Sequence, residues 1–447
     1  MKPLFSWMTT FLWMMLFASN LADCFDPLDP NGNVTVNVDI HRWTSNGYVA
    51  TVTIQNYYQY RHVETPGWQL GWTWTNKEVI LSMTGAIATQ QGNCSINFQS
   101  AHSCMTDPVF VDLMPDAAAV NRTENCCRGG LLSSWAIDQP NSISSFEIEV
   151  GNLGHGLSYL PLNSTFMGPG PGYTCSPFAD APPTVSTVLD ARREEQVFRT
   201  WKSICTYSTF TVNKAPTCCV SLSTFYNPKI TPCPLCSCDC RPGNSNTLEC
   251  VGDDLVASSW PGPNNVDNLL QCTDHMCPVQ VHWHIKNNYR DHWRVKLTVS
   301  NHDYGVNFSD WNVLVQHPSF GQSLQSYSFN STTIQSVANS GAQLIDDVAL
   351  FWGLANYNTE LLQASEKQLG SVTTEILLSK DQSSFTLNNG WAFPRKIYFN
   401  GESCEMPLPD DFPALPDAST APKHTALLPP LLLLLLYTMI LQVVLGL

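Results

Sequence analysis

Charge is scarce in this chain. Only 13% of its 447 residues are charged, and 37 acidic residues face 22 basic ones, a net charge of −15. Such a surface offers no footprint for a phosphate backbone, which excludes nucleic acid as a partner. Helical periodicity is nearly missing too, with only residues 189–201 carrying a helix-like pattern. No G-x-S-x-G elbow and no phosphate-binding loop occurs. A glycoside hydrolase needs two carboxylates across a cleft. The acidic residues Asp190, Glu194, Glu195, Asp346 and Asp347 lie in no such marked setting, and Glu194-Glu195 beside Arg192-Arg193 reads as a solvated charged face. These absences argue against an enzyme.

What the chain does have is cysteine, aromatic residues and two greasy ends. Residues 1–24 read as a secretory signal, with Lys2 at the start, an apolar run over residues 4–17 and small residues before the cut. Seventeen cysteines are present, so cleavage after Cys24 leaves sixteen, an even number for disulfides in an oxidising compartment. Six Asn-x-Ser/Thr sites agree with secretion: Asn33, Asn93, Asn121, Asn163, Asn307 and Asn330. The second apolar run, residues 426–447, has nothing basic after it. Small residues and a short polar spacer precede it, the pattern of a GPI-attachment signal with Asp417 as the attachment residue and Ser419 as the alternative. A tail anchor is the rival reading.

Between these ends the chain reads as all-β. Val34, Val36, Val38 and Ile40 alternate with polar residues, and residues 48–55, 67–74 and 79–83 continue the pattern. Parity puts Trp68, Leu70, Trp72 and Trp74 on one face, toward a core. The same count puts Trp43 outward, and Tyr48 stands at a strand start. Trp43, Tyr48 and the Tyr57-Tyr58-Gln59-Tyr60 loop are therefore the candidate exposed aromatic surface. Residues 279–285, 293–301 and 311–316 echo the first three strands, which suggests two related β-sandwiches. The division expected is 25–215 for a carbohydrate-binding-like sandwich, 216–276 for a Cys-rich linker, 277–406 for a second sandwich, 407–417 for a Pro-rich stalk and 418–447 for the removed signal. A disulfide between Cys277 and Cys404 is expected to tie first strand to last in the second sandwich.

Six cysteines fall between Cys218 and Cys240. Their C-x-x-C spacing suits zinc, but in a secreted chain disulfides are the expected use. His282 and His284 share a strand face; two exposed histidines are expected rather than a metal pair. No cofactor and no metal site is expected.

The motifs Gly67-Trp68, Gly71-Trp72-Thr73-Trp74, Gly168-Pro169-Gly170-Pro171-Gly172, Cys218-Cys219-Val220-Ser221, Cys233-Pro234 through Cys240, His282-Trp283-His284 and Gly390-Trp391-Ala392-Phe393-Pro394 resemble those of plant COBRA-like proteins, in order along the mature chain. The resemblance implies a GPI-anchored protein on the outer face of the plasma membrane. It implies a role in cellulose deposition, microfibril order and oriented cell expansion. It also implies a first sandwich similar to a cellulose-binding module, with Trp43, Tyr48 and Trp72 as sugar contacts; parity disputes Trp72. Two departures are Ser103-Cys104, where relatives carry paired cysteines, and Asn227-Pro228, which abolishes a glycosylation site. The alternative reading is a surface adhesion or signalling protein contacting another protein or a non-cellulosic wall polymer.

Overall fold

The alternation along the chain produces strands because each apolar set needs a second sheet to cover it. The computed structural model describes residues 26–413 except 27, 155–158, 189–192, 209–216, 234–277, 304, 322–323, 338–343, 366–369 and 381–391. Its described helices are 3-10 turns of three or four residues, so the protein is all-β.

The first sandwich holds β1 Val34–Thr44, β2 Gly47–Asn56, β3 Gln69–Thr73, β4 Val79–Thr84, β5 Ala86–Ala88, β6 Val109–Asp112, β7 Ile143–Gly151, β8 Leu162–Met167, β9 Tyr173–Cys175, β10 Ala179–Ala181, β11 Val185–Val188, β12 Arg193–Gln196 and β13 Arg199–Tyr207. One sheet runs β10-β13-β1-β2-β7-β4, with β9 also on β13; the other runs β5-β6-β3-β8, and β11-β12 is a separate ribbon. The helix-like pattern over residues 189–201 is thus overturned: β12 and β13 occupy its described part, and β13 finds a seven-residue register with β1 that outweighs local preference. Val34, Val36, Val38 and Ile40 face Trp68, Trp72, Phe110 and Trp201 in one core.

The second sandwich holds β14 Cys218–Thr224, β15 Asn227–Thr231, β16 Val279–Asn288, β17 His292–Asn301, β18 Phe308–Ser309, β19 Asn312–Gln316, β20 Gln325–Ser326, β21 Asn330–Val337, β22 Leu344–Trp352, β23 Glu360–Leu361, β24 Gly370–Ser379, β25 Lys396–Phe399 and β26 Glu402–Ser403. Its sheets run β15-β14-β16-β17-β24-β20 and β21-β22-β19-β25-β26. The repetition seen in sequence reaches atomic detail. Asn56 Oδ1 accepts from Tyr58 N at 3.1 Å and its Nδ2 donates to Arg61 O at 2.8 Å. Asn301 makes the same two bonds, from Asp303 N at 2.9 Å and to Val306 O at 2.8 Å. Each asparagine is buried at the end of the second strand of its hairpin, holding the loop that turns away from the sheet.

Two expectations change here. Residues 218–231, expected in the Cys-rich linker, belong to the second sandwich: β14 pairs parallel with β16 over seven residues and is buried along its whole length. The disulfide expected between Cys277 and Cys404 is also corrected. Cys404 bonds Cys218, because β14 lies beside residue 405, with Val220 N donating to Glu405 O and Glu405 N to Cys218 O. Cys277 lies outside the described residues. The other described bridges are Cys94–Cys104, Cys126–Cys127, Cys175–Cys205 and Cys219–Cys233. Cys104, next to the departing Ser103, therefore has a partner.

The two sandwiches touch directly. Leu28, Tyr60, Ala136 and Ile137 of the first cover Leu314, Ile334, Val348, Leu350 and Tyr398 of the second. Beside this patch, Arg61 pairs with Glu402 at 2.9 Å, donates to Gly401 O and lies 3.7 Å over the Tyr207 ring. Tyr207 also donates to Glu402 at 2.7 Å. Burial alone pulls the Arg61 guanidinium down, but Glu402 and the surrounding tyrosines raise it above its ordinary value. Gly401 has φ +84°, and a Cβ there would stand 2.9 Å from Arg61 Cβ, so the close approach needs glycine.

Candidate functional site

The β1–β2 hairpin ends in a tight turn at one rim of the first sandwich. Its register shifts between Ile40 and Arg42, so one extra residue sits in β1 and every later side chain changes face. Trp43 consequently pairs with Tyr48 and shares its face. The parity count had placed Trp43 outward on the other face; the bulge puts it on the core side, at the mouth where the two sheets open. There it is 38% exposed.

Tyr48 lies beneath it. Its ring is 5.6 Å from Trp43, edge-on, and 5.6 Å from Trp201, also edge-on. Tyr48 is only 1% exposed, and burial, with Glu78 adding, pushes its phenol well above the ordinary range. Tyr48 is therefore corrected from a surface contact to the floor that supports Trp43. Tyr159 packs against Trp43 at 6.0 Å, and Phe198, whose N–H bonds Ile40 O, is largely exposed at the same end. Both were missed in sequence. Phe198 sat in the stretch with a helix-like pattern, and Tyr159 sits in a loop with no parity to count.

The other named aromatics lie elsewhere. Trp72 is 2% exposed and packs on Trp74, Phe110 and Phe178, inside the core as parity required. It cannot touch a polymer while the sandwich is folded. In the Tyr57–Tyr60 loop only Tyr57 is exposed, leaning on Trp135; Tyr58 and Tyr60 are buried, which corrects that part of the candidate surface. Tyr58 turns into the first sandwich's own core, where its hydroxyl accepts from Tyr207 N, while Tyr60 docks on the second sandwich, donating to Asp26 and packing tilted against Tyr398.

Of the six sequons, Asn93, Asn121, Asn163 and Asn307 have exposed side chains. Asn33 and Asn330 are half-buried, and their amide nitrogens donate to Asn31 O and Gly353 O. Asp417 lies outside the described residues, as do Asp190 and Cys277.

His282 and His284 are not two free exposed histidines. His282 Nδ1 meets Ser221 Oγ at 2.6 Å, its Nε2 meets Ser223 Oγ at 2.8 Å, and Ser223 Oγ meets His284 Nδ1 at 2.7 Å. Among the described residues no group of three His, Cys, Asp or Glu side chains is placed to hold a metal ion. Burial, with His284 and Lys296 adding, holds His282 down to about 4. The unfolded chain therefore takes up this proton first. The resulting stability is complete above about pH 6.5 and is lost as pH falls toward 4, by roughly 2 kcal/mol for a partly exposed ring. Asp29 works in the opposite direction: burial raises it to about 6, so its contribution shrinks as pH rises from about 4 to 6. The clean measurement is the difference between wild type and His282→Gln in urea unfolding at pH 7 and pH 4.5. The wild type is expected to lose more stability than the variant on acidification; equal losses would show that His282 titrates normally.

Comparison with known proteins places both halves. The model of the COBRA N-terminal domain matches residues 48–208, and that of the COBRA family C-terminal domain matches residues 217–413. The chain is 48% identical over 422 residues to COBRA-like protein 2 of Arabidopsis thaliana, covering 93% of each. It is 46% identical to COBRA-like protein 1 of Oryza sativa subsp. japonica, covering 93% of this chain and 94% of that one. To Protein COBRA of Arabidopsis thaliana it is 43% identical, covering 95% of each.

Proposed function

Because this chain belongs to the COBRA family, we propose that it is a non-catalytic, GPI-anchored protein of the outer plasma-membrane face that binds cellulose in the plant cell wall and promotes ordered microfibril deposition and oriented cell expansion. The observation that carries the binding step is the rim: Trp43 half-exposed on a buried Tyr48, with Tyr159 against it. A glucan chain presents flat faces of C–H groups that pack on aromatic rings, and a ring held from below loses little freedom on contact. The rim offers an aromatic side chain that is both accessible and held, with Tyr48 and Tyr159 against it. The low positive charge of the chain suits a neutral polymer. Anchoring rests on the tail of residues 418–447 and the attachment residue Asp417.

The test is retention of the glycosylated protein on crystalline cellulose, beside amorphous cellulose and xylan. Trp43→Ala is expected to weaken retention at least tenfold, about 1.4 kcal/mol. Its thermal stability should change by less than about 1 kcal/mol, because Trp43 stands at the rim with more than a third of its surface already in water. Unchanged retention by the variant would remove Trp43 from the contact. A wild type that binds none of the three polymers would remove direct glucan recognition and leave a protein partner.

A further inference from the structure

A second recognisable place lies where the two sandwiches meet. A cleft of about 510 Å³ opens there, walled by residues 62–65 and 128–141 of the first sandwich and by residues 306–311 and 352–359 of the second. That volume falls in the range of about 300–1,000 Å³ typical of small-ligand sites, which favour domain boundaries. We propose that this cleft binds a short neutral oligosaccharide, a few sugar residues at the end or in a loop of a wall glycan. The inference rests on the reading that the protein meets wall glycans, and adds a site separate from the rim.

Three features of the walls select that ligand. First, Trp352 is half-buried at the cleft, and its indole N–H has no hydrogen-bond partner among the described residues. The neighbouring Trp311, by contrast, donates to Asn358 O at 2.8 Å. Trp352 therefore offers a ring edge with a donor, suited to a sugar. Second, the polar groups are pre-positioned. Arg128 Nη1 donates to Asn141 at 2.8 Å, Asn141 Nδ2 donates to Asp138 at 2.7 Å, and Arg128 Nη2 holds Ile143 O. Among the lining residues, Ser134 Oγ is buried without a hydrogen-bond partner and His62 Nε2 has only Glu64 Oε2 near it, at 3.8 Å, a deficit that a ligand hydroxyl can relieve. Third, three carboxylates, Glu64, Asp138 and Asp310, line the cleft against one guanidinium, Arg128. A uronic acid chain would be repelled there, while hydroxyl groups can donate to carboxylates.

Titration calorimetry of the full chain from a secretory host, after enzymatic removal of N-glycans so that an attached glycan cannot fill the cleft, tests this. The probes are cellotriose, xylotriose and trigalacturonate. At least one neutral trisaccharide is expected to bind, and trigalacturonate is not. Ala355→Arg, at an exposed turn position in the mouth, should weaken that binding at least tenfold, and Trp352→Phe, which keeps the ring but removes the N–H, severalfold. In a Trp43→Ala background, which removes the rim contact, the remaining trisaccharide binding should still be weakened by both cleft variants. The proposal falls if no neutral trisaccharide binds, if binding ignores both cleft variants, or if trigalacturonate binds as tightly. Trisaccharide binding that depends on Trp43 alone sinks the cleft and leaves the rim standing. Trisaccharide binding that survives in a protein not retained on cellulose does the reverse.

Discussion

Replacing Arg61 with methionine is expected to destabilise the protein by about 3–5 kcal/mol, because a buried ion pair loses one partner and strands the other. Arg61 is nine-tenths buried at the boundary between the sandwiches, paired with Glu402 and packed flat on Tyr207. Methionine fills part of the volume and cannot donate to Glu402 or Gly401 O. Lysine should recover only a minor share, since one ammonium cannot reproduce the planar fork that reaches a carboxylate and a carbonyl together. The decisive control is Arg61→Met with Glu402→Leu. Removing both charges should restore much of the loss, as replacing whole buried pairs often does. Denaturant unfolding followed by tryptophan fluorescence measures all three. A loss below about 1 kcal/mol for Arg61→Met would show that the apolar patch of Tyr60, Leu314, Leu350 and Tyr398 alone joins the sandwiches.

Trp72→Ala is expected to cost about 3–5 kcal/mol, the usual price of emptying a large aromatic site in a packed core. The indole touches Trp74, Phe110 and Phe178, and neither sheet can close over the space alone. Loss of cellulose retention by this variant would accompany loss of folded protein. Trp43→Ala should show the opposite pairing, with weak binding and a normal melting curve. The two variants together separate a contact from a support. If Trp72→Ala kept its full stability and lost only retention, the packing described for β3 would be wrong.

The strand pattern was readable because Val34 to Ile40 and Val279 to Ile285 alternate without interruption. The core tryptophans were readable because Trp68, Trp72 and Trp74 share one parity and the residues between them are small or polar. Trp43 shows the limit of that method. An extra residue at the Ile40/Arg42 step reverses parity, and the same step at Ile285/Asn287 repeats it in the second sandwich. Nothing in the residue types of either strand marks the insertion. Tyr60 looked like part of a surface loop because its burial comes from a partner sandwich far along the chain, as the Arg61–Glu402 separation of 341 shows. A different obstacle hid β14, whose place beside β16 is a parallel pairing, Cys218 opposite Val279, that no local turn announces. Tyr48 failed for a simpler reason. A strand start can be a rim or a floor, and only the ring lying over it decides which.

The Cys218–Cys404 bridge closes a ring of chain that contains nearly all of the second sandwich. A protease cutting once anywhere inside that ring would nick the protein without dividing it. The first sandwich would stay covalently joined to whatever follows Cys404, the proposed lipid anchor included. Separating the first sandwich from the chain after Cys404 would then require a cut outside the ring, or a cut within it followed by reduction. Release thus becomes a question of redox conditions as much as of protease access.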